Sequence, residues 1–204
     1  MFALVDKSDN SITRMLSGSQ GITLDGIQHP KAIFSLWTEA ERNAINIYTV
    51  EINNSKRKNT EWYVNTNVTY SFNGSKVTGS YGDATARAHA DTLWTAQDES
   101  DGKGTEGDVK DEGLKTKLIR SIKSQAEGEL NKTDWYITRK AEKDTAIPSA
   151  VSTHRDAVRS KQAEMETAIT NASDTPALET LYTYTTQEDG STTRPLGELP
   201  TKDF

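Results

Sequence analysis

LKTKLIRSIKSQAEGEL, residues 114–130, decides the architecture of the C-terminal half of the chain. Its apolar residues recur at spacings of three and four, so they fall within one arc of a helical wheel. A second helical stretch, residues 149–171, follows Pro148, and proline is favoured where a helix begins. We therefore predict an antiparallel helical hairpin over residues 113–172. The facing stripes are Leu114, Leu118, Ile119, Ile122, Ala126 and Leu130 on one helix and Val151, Val158, Met165 and Ile169 on the other.

The N-terminal half has the short alternating patterns that are typical of strands. Phe2–Asp6, Ser11–Leu16 and Ile47–Ile52 are predicted strands, and residues 18–26 are a predicted loop. Residues 67–78, NVTYSFNGSKVT, predict a β-hairpin, because the Asn-Gly pair at 73–74 tolerates the positive φ of a tight turn.

Two helices are predicted in the same half. Thr38 and Glu41 match the capping-box pattern, in which each side chain bonds the backbone amide of the other residue, so a short helix to about Asn46 should follow. DATARAHADTLWT at 83–95 has small apolar residues on one side and an N-terminal Asp suited to a cap. Residues 83–95 are therefore predicted to be helical.

An acidic stretch separates the two halves. Residues 97–112, QDESDGKGTEGDVKDE, hold seven acids and two lysines among several glycines, which is typical of a solvated linker. The predicted α+β organisation is a small N-terminal domain with an antiparallel hairpin (1–96), this linker, the helical hairpin (113–172) and a tail (173–204). The tail is predicted to form a short helical turn followed by extended chain.

Composition argues against several classes of function. The chain has no cysteine, an apolar fraction of 33% and a mean hydropathy of -0.73, so we expect small cores that lean on oligomerisation or on a partner. The three histidines are scattered, and residues 97–108 match a calcium loop poorly. We predict no enzyme activity and no cofactor. We also predict no nucleic-acid partner, because no basic stripe is present, and neither a signal peptide nor a membrane span.

Two aromatic residues stand in the connection between the predicted helices, within NKTDWYITR at 131–139. In one interpretation Trp135 closes the open end of the hairpin, while Asp134 caps backbone amides or pairs with Arg155 or Arg159. In the other, the aromatic residues bind a partner protein, as Trp, Tyr and Arg often do. The two interpretations are compatible if the hairpin end is the interface. The candidate partner-binding residues are Thr133, Asp134, Trp135, Tyr136, Arg155 and Arg159.

The region from about 114 to 165 resembles the phage tail assembly chaperone family of tailed bacteriophages. The family pattern is a helix with an arginine that ends in leucine, then Thr-Asp-Trp, prolines and a helix marked Tyr-Arg-x-x-Leu-Arg. This chain departs from the pattern in three ways: His154 replaces the Tyr, Val158 replaces the Leu, and the tryptophan expected near the start of the second helix is absent. Pro30, Ile33 and Trp37 also resemble leading segments of proteins from phage structural gene clusters. The matching C-terminal residues are Arg120, Leu130, Thr133, Asp134, Trp135, Pro148, Arg155, Val158 and Arg159.

The resemblance implies a role in tail fibre assembly, with tail fibre or other tail proteins as partners and no catalysis. The chain would act in the host cytoplasm during assembly, or stay in the particle as a virion structural protein at the tail or fibre junction. A homo-oligomer is compatible with either role. The third hypothesis, a small enzyme or metal-binding module, lacks any catalytic constellation in the sequence.

Overall fold

The computed structural model describes all residues, Met1–Phe204, and the chain divides into two compact units, Met1–Thr85 and Ala86–Phe204. Both helices and strands are present, so the predicted α+β class is confirmed. The elements of the first unit are β1 (Phe2–Asp6), β2 (Ser11–Leu16), β3 (Ile22–Leu24), β4 (Ile27–His29), α1 (Ile33–Leu36), α2 (Glu39–Ala44), β5 (Ile47–Asn53), β6 (Tyr63–Val64), β7 (Thr69–Phe72), β8 (Val77–Ser80) and β9 (Thr85–Ala86), at which the unit ends.

A five-stranded sheet organises the first unit, in the order β2-β1-β5-β8-β7. All its pairs are antiparallel except β5 with β8. Successive side chains of a strand point to opposite faces, and β1 packs against apolar residues on both of its faces. Ala3 and Val5 pack with Tyr48, Phe72 and Val77, while Phe2 and Leu4 pack on the opposite face against the cluster of Leu16, Ile22, Ile33 and Ile47.

Most sequence predictions for this unit are confirmed. The strands at 2–6, 11–16 and 47–52 are present, and β7 pairs with β8 across a turn in which Gly74 has a φ of 92°. Thr38 and Glu41 form both bonds of the capping box at the start of α2. The prediction of a loop over 18–26 is wrong in part, because Ile22–Leu24 pairs with Ile27–His29 as a small hairpin.

The second unit is built on helices. Its elements are β10 (Thr92–Leu93), α3 (Ala96–Ser100), β11 (Val109–Asp111), α4 (Leu114–Asn131), α5 (Asp134–Lys143), α6 (Ser149–Asn171), α7 (Thr175–Tyr182), β12 (Thr185–Thr186) and β13 (Thr192–Thr193). α4 packs against α6, and the Lys115 Nζ donates to the Thr170 carbonyl at 2.8 Å. Lys123 also pairs with Glu166, so the beginning of α4 lies beside the end of α6 and the predicted antiparallel hairpin is confirmed.

The predicted stripe on α6 forms the core of this hairpin, and the predicted stripe on α4 is buried only in part. Ile122 and Ala126 of α4 are buried, and the stripe on α6 is buried along its length: Val151, Val158, Met165 and Ile169. The predicted tail is confirmed as a short helix, α7, whose Asp174 side chain accepts from the Ala177 amide, followed by extended chain that includes the β12-β13 hairpin. α5 lies in the connection between the hairpin helices, where no helix is predicted from the sequence.

The prediction of a helix over residues 83–95 is wrong. The backbone of this stretch instead closes the start of α4, where the first amides of a helix have no partner within it. The Leu114 amide donates to the Ala88 carbonyl and the Lys115 amide to the His89 carbonyl. The approach is so close that a Cβ at Gly113 would lie 2.3 Å from the Ala90 backbone, so this position requires glycine.

The acidic stretch 97–112 is folded, unlike the linker predicted from its charge. Thr95 and Asp98 form a capping box at the start of α3, and β10 pairs with β11 across the stretch. Lys103 and Lys110 both lie within 3.9 Å of the Asp98 carboxylate, which reduces the repulsion among the acids. The division between the two units correspondingly falls at residues 85 and 86, ahead of the predicted boundary.

Candidate protein-interaction surface

A buried arginine organises the end of the helical hairpin where α4 stops and α6 begins. The Arg155 Nη1 donates to the Leu130 carbonyl at 2.8 Å, to the Thr133 hydroxyl at 2.8 Å and to an Asp134 carboxylate oxygen at 2.7 Å. The Arg155 side chain is 10% exposed, and Thr133 is fully buried. We name Thr133, Asp134 and Arg155 the inner cluster.

The position of the inner cluster follows from the end of α4. The last carbonyls of a helix lack partners and carry partial negative charge, so a cation placed there is stabilising. Arg155 supplies that cation from α6, while the Thr133 hydroxyl donates to the Leu130 carbonyl at 2.9 Å. Asp134 then begins α5, where a carboxylate suits the positive end of the helix dipole. The inner cluster therefore joins all three helices.

Two aromatic side chains follow directly on the outside of this junction. The rings of Trp135 and Tyr136 lie 3.9 Å apart at an angle of 34°, and Trp135 is 51% exposed. The Arg139 guanidinium lies 4.5 Å from the centre of the Trp135 ring and 5.3 Å from that of Tyr136. We name Trp135, Tyr136 and Arg139 the outer patch.

The structure separates the predicted site residues into three groups. Thr133, Asp134 and Arg155 come together in the inner cluster, and Trp135 and Tyr136 lie in the outer patch. Arg159 joins neither: its side chain is 52% exposed and lies 3.6 Å from Asp156 on its own helix. Trp135 is half exposed and contacts Tyr136 and Arg139 of its own helix, which argues against the interpretation in which it closes the hairpin.

Arg139 is the one member of the outer patch that the sequence analysis missed. It follows Trp135 by four residues and Tyr136 by three, the spacings at which side chains meet on a helix. Those spacings have this meaning only if residues 134–143 are helical, and α5 was not predicted. Recognising the N-terminal Asp134 and the basic last turn at Lys140 and Lys143 would have supplied the signal.

Two of the three histidines pack against aromatic rings. The His29 ring lies 5.9 Å from that of Trp37, and the buried His154 ring lies 5.2 Å from that of Phe204. The chain holds no group of three or more His, Cys, Asp or Glu side chains arranged to bind a metal ion. None of its helices combines the length and the apolar character needed to cross a membrane.

Comparison of the chain with protein-family models, with curated proteins and with solved structures found no match. The resemblance of residues 114–165 to tail assembly chaperones thus stands on its own residues. Four of those residues meet in the structure at the end of the hairpin: Leu130, Thr133, Asp134 and Arg155.

Proposed function

We propose that this protein is a non-catalytic, bacteriophage tail-associated protein that acts as a tail fibre or tail assembly chaperone. It binds its partner with the outer patch at the end of the helical hairpin. The observation that carries the proposal is a half-exposed Trp135, packed on the partly buried Tyr136, directly beside a buried, hydrogen-bonded arginine junction.

Physical chemistry supports a binding role for the outer patch. Burial of an aromatic side chain removes a large apolar surface from water, and tryptophan, tyrosine and arginine are the residues that most often dominate binding energy. The neighbouring inner cluster fixes the start of α5, so the aromatic rings lose little conformational freedom when a partner binds. An aromatic pair on a fixed helix therefore contributes more binding free energy than the same pair on a mobile loop, because less conformational entropy is lost on binding.

A second candidate role is that of a permanent virion component at the tail or tail fibre junction. It is favoured by exposed apolar side chains on the first unit as well, where Leu36 is 79% and Ile27 is 62% exposed. A chain that stays between two neighbours needs a surface for each of them. A transient chaperone needs one surface for its client.

Co-expression tests the chaperone role. The chain is expressed together with the tail fibre protein of the phage that encodes it, and the yield of correctly assembled, soluble fibre is measured with and without the chain. We expect a higher yield and a complex of the two proteins on a sizing column. An unchanged yield with no complex contradicts the proposal.

Quantitative mass spectrometry of purified mature particles separates the two roles. A chaperone is expected in infected-cell lysate and absent from particles. Presence in particles at a copy number that matches the symmetry of the tail assigns the permanent role instead.

A further inference from the structure

We propose that the outer patch binds an acidic side chain of the partner, one that is flanked by apolar residues, through a carboxylate contact with Arg139. This inference rests on the proposed function and names the chemistry of the partner segment. Apolar side chains would cover Trp135 and Tyr136, while the carboxylate would reach the edge of the Arg139 guanidinium.

Arg139 makes no hydrogen bond and no ion pair within its own chain. Its Nε is buried beside the aromatic rings and has no acceptor. The guanidinium carbon lies over the two rings, 4.5 Å and 5.3 Å from their centres, and this cation–π contact uses none of the N–H donors of the group. An arginine stacked in this way keeps its fork of donors for a planar acceptor such as a carboxylate.

The other arginines of the second unit make this arrangement distinctive. Four of them are paired with carboxylates: Arg120 with Glu112, Arg155 with Asp134, Arg159 with Asp156 and Arg194 with Glu198. The chain has 30 acidic residues, yet none of them pairs with Arg139. Its position on the outer patch leaves that pairing to another molecule.

Charge complementarity also favours a carboxylate. α5 carries three basic residues, Arg139, Lys140 and Lys143, against two acids, and one of those acids, Asp134, is already bonded to Arg155. Lys140 is paired with Asp144 at 2.6 Å, so Arg139 and Lys143 are the basic side chains of α5 that have no ion pair, and Arg139 lies beside the aromatic rings. A nucleic-acid phosphate is the less favoured anion, because the whole chain has a net charge of -6 and long-range repulsion opposes a polyanion.

Two capped peptides test the inference with the full chain. Both are acetylated and amidated, Gly-Leu-Glu-Leu-Gly and Gly-Leu-Gln-Leu-Gly, so that they differ in one carboxylate. Titration is followed by ¹H–¹⁵N NMR at the Arg139 Nε–H and at the Trp135 indole N–H. We expect the Glu peptide to shift both signals and to bind about three- to fivefold more tightly than the Gln peptide, the advantage of a solvent-exposed ion pair.

The variant Arg139→Gln should remove that preference, so that the Glu and Gln peptides bind it with equal affinity. Arg159→Gln is the matched control, since it deletes the same charge on a neighbouring helix and should keep the preference. Equal affinity of the two peptides, or a Glu peptide that leaves the Arg139 signal unmoved, overturns the inference. A larger Arg139 shift with inorganic phosphate than with the Glu peptide also overturns it, in favour of a phosphate ligand. Failure of the fibre co-expression with a positive peptide result refutes the proposed function alone.

Discussion

The inner cluster and the outer patch are adjacent in sequence and differ in how they use the same residue types. Arg155 is buried, and its Nη1 donates hydrogen bonds to three acceptors of its own chain. Arg139 lies over two aromatic rings and donates no hydrogen bond within the chain. Thr133 is fully buried, whereas Trp135, two residues later, is half exposed. The chain thus places the polar residues inside and the large aromatic residue outside.

This inversion indicates which contacts serve folding and which serve binding. A buried polar group is costly unless it is hydrogen-bonded, so the inner cluster must be complete for the hairpin to be stable. The side chains of the outer patch make no hydrogen bond that holds the hairpin together. Substitution of these side chains should therefore leave the hairpin intact. Variants on the two sides should therefore separate stability from binding.

The largest effect is expected from Arg155→Gln. Glutamine is too short to reach all three acceptors, so the Leu130 carbonyl and the Asp134 carboxylate lose their cation. We expect a loss of about 3 kcal/mol in the free energy of unfolding, measured by urea denaturation. Arg159→Gln, which deletes an exposed arginine one turn away, should change it by less than about 0.5 kcal/mol. Equal losses in the two variants would show that the hydrogen bonds of the inner cluster do not stabilise the hairpin more than an exposed arginine does.

Asp134→Asn tests the other end of the same ion pair. The Asp134 side chain is 52% exposed, so water screens its charge and replaces part of the lost contact. We expect a loss of about 1 kcal/mol, clearly smaller than that of Arg155→Gln. The comparison fails if Asp134→Asn costs as much as the arginine variant, because that result would make the pair, and not the buried donor, the stabilising feature.

A carboxylate at the opposite end of α4 should give a smaller, acid-dependent effect. The Gly113 amide and the Thr116 hydroxyl donate to Asp91 at 2.7 and 2.8 Å and lower its pKa from the ordinary value of 3.8. A lowered pKa means that the ionised group stabilises the fold above pH 3.8 and that this contribution is lost as the pH falls through the folded pKa.

Asp91→Asn should consequently destabilise the chain at neutral pH, with a gap to the wild type that closes on acidification below about pH 4. Denaturation curves at pH 7 and pH 3 measure this gap. Asp156→Asn, on the exposed face of α6, serves as a control and should show no such closing. A gap that is constant with pH would show that the Asp91 carboxylate is not what closes the start of α4.

The helical hairpin could be predicted from sequence because its evidence is local. The stripe of Val151, Val158, Met165 and Ile169 repeats at helical spacing, and each of these residues is buried in the structure. The capping box at Thr38 and the turn at Gly74 were predictable for the same reason, since each depends on side chains or backbone angles within a few residues.

The errors arose where tertiary contacts override local preference. Residues 83–95 have a composition typical of a helix. In the structure, two of their carbonyls and the Asp91 carboxylate instead accept hydrogen bonds from backbone amides at the start of α4, which is distant in sequence. The composition of the acidic stretch predicts that repulsion between its carboxylates keeps it unfolded. In the structure, Lys103 and Lys110 lie beside Asp98 and β10 pairs with β11, and these contacts offset the repulsion.

The candidate site was predicted in part. The Asp134–Arg155 pair was one of three alternatives, beside capping of backbone amides by Asp134 and a pair with Arg159. The sequence offered no means to choose between Arg155 and Arg159, which lie one turn apart. The outcome depends on the crossing of α6 against the end of α4, which brings Arg155 to the Leu130 carbonyl. Arg139 was missed because its role depends on α5 being helical.

Trp135→Ala separates binding from folding at the end of the hairpin, since it removes a half-exposed side chain and leaves the inner cluster in place. The free energy of unfolding of the variant and its affinity for the tail fibre protein are measured on the same preparation. We predict a stability within about 0.5 kcal/mol of the wild type, because a half-exposed side chain buries little surface, together with a loss in affinity of at least about tenfold. A variant that loses stability and keeps its affinity would contradict the account and assign Trp135 to the fold.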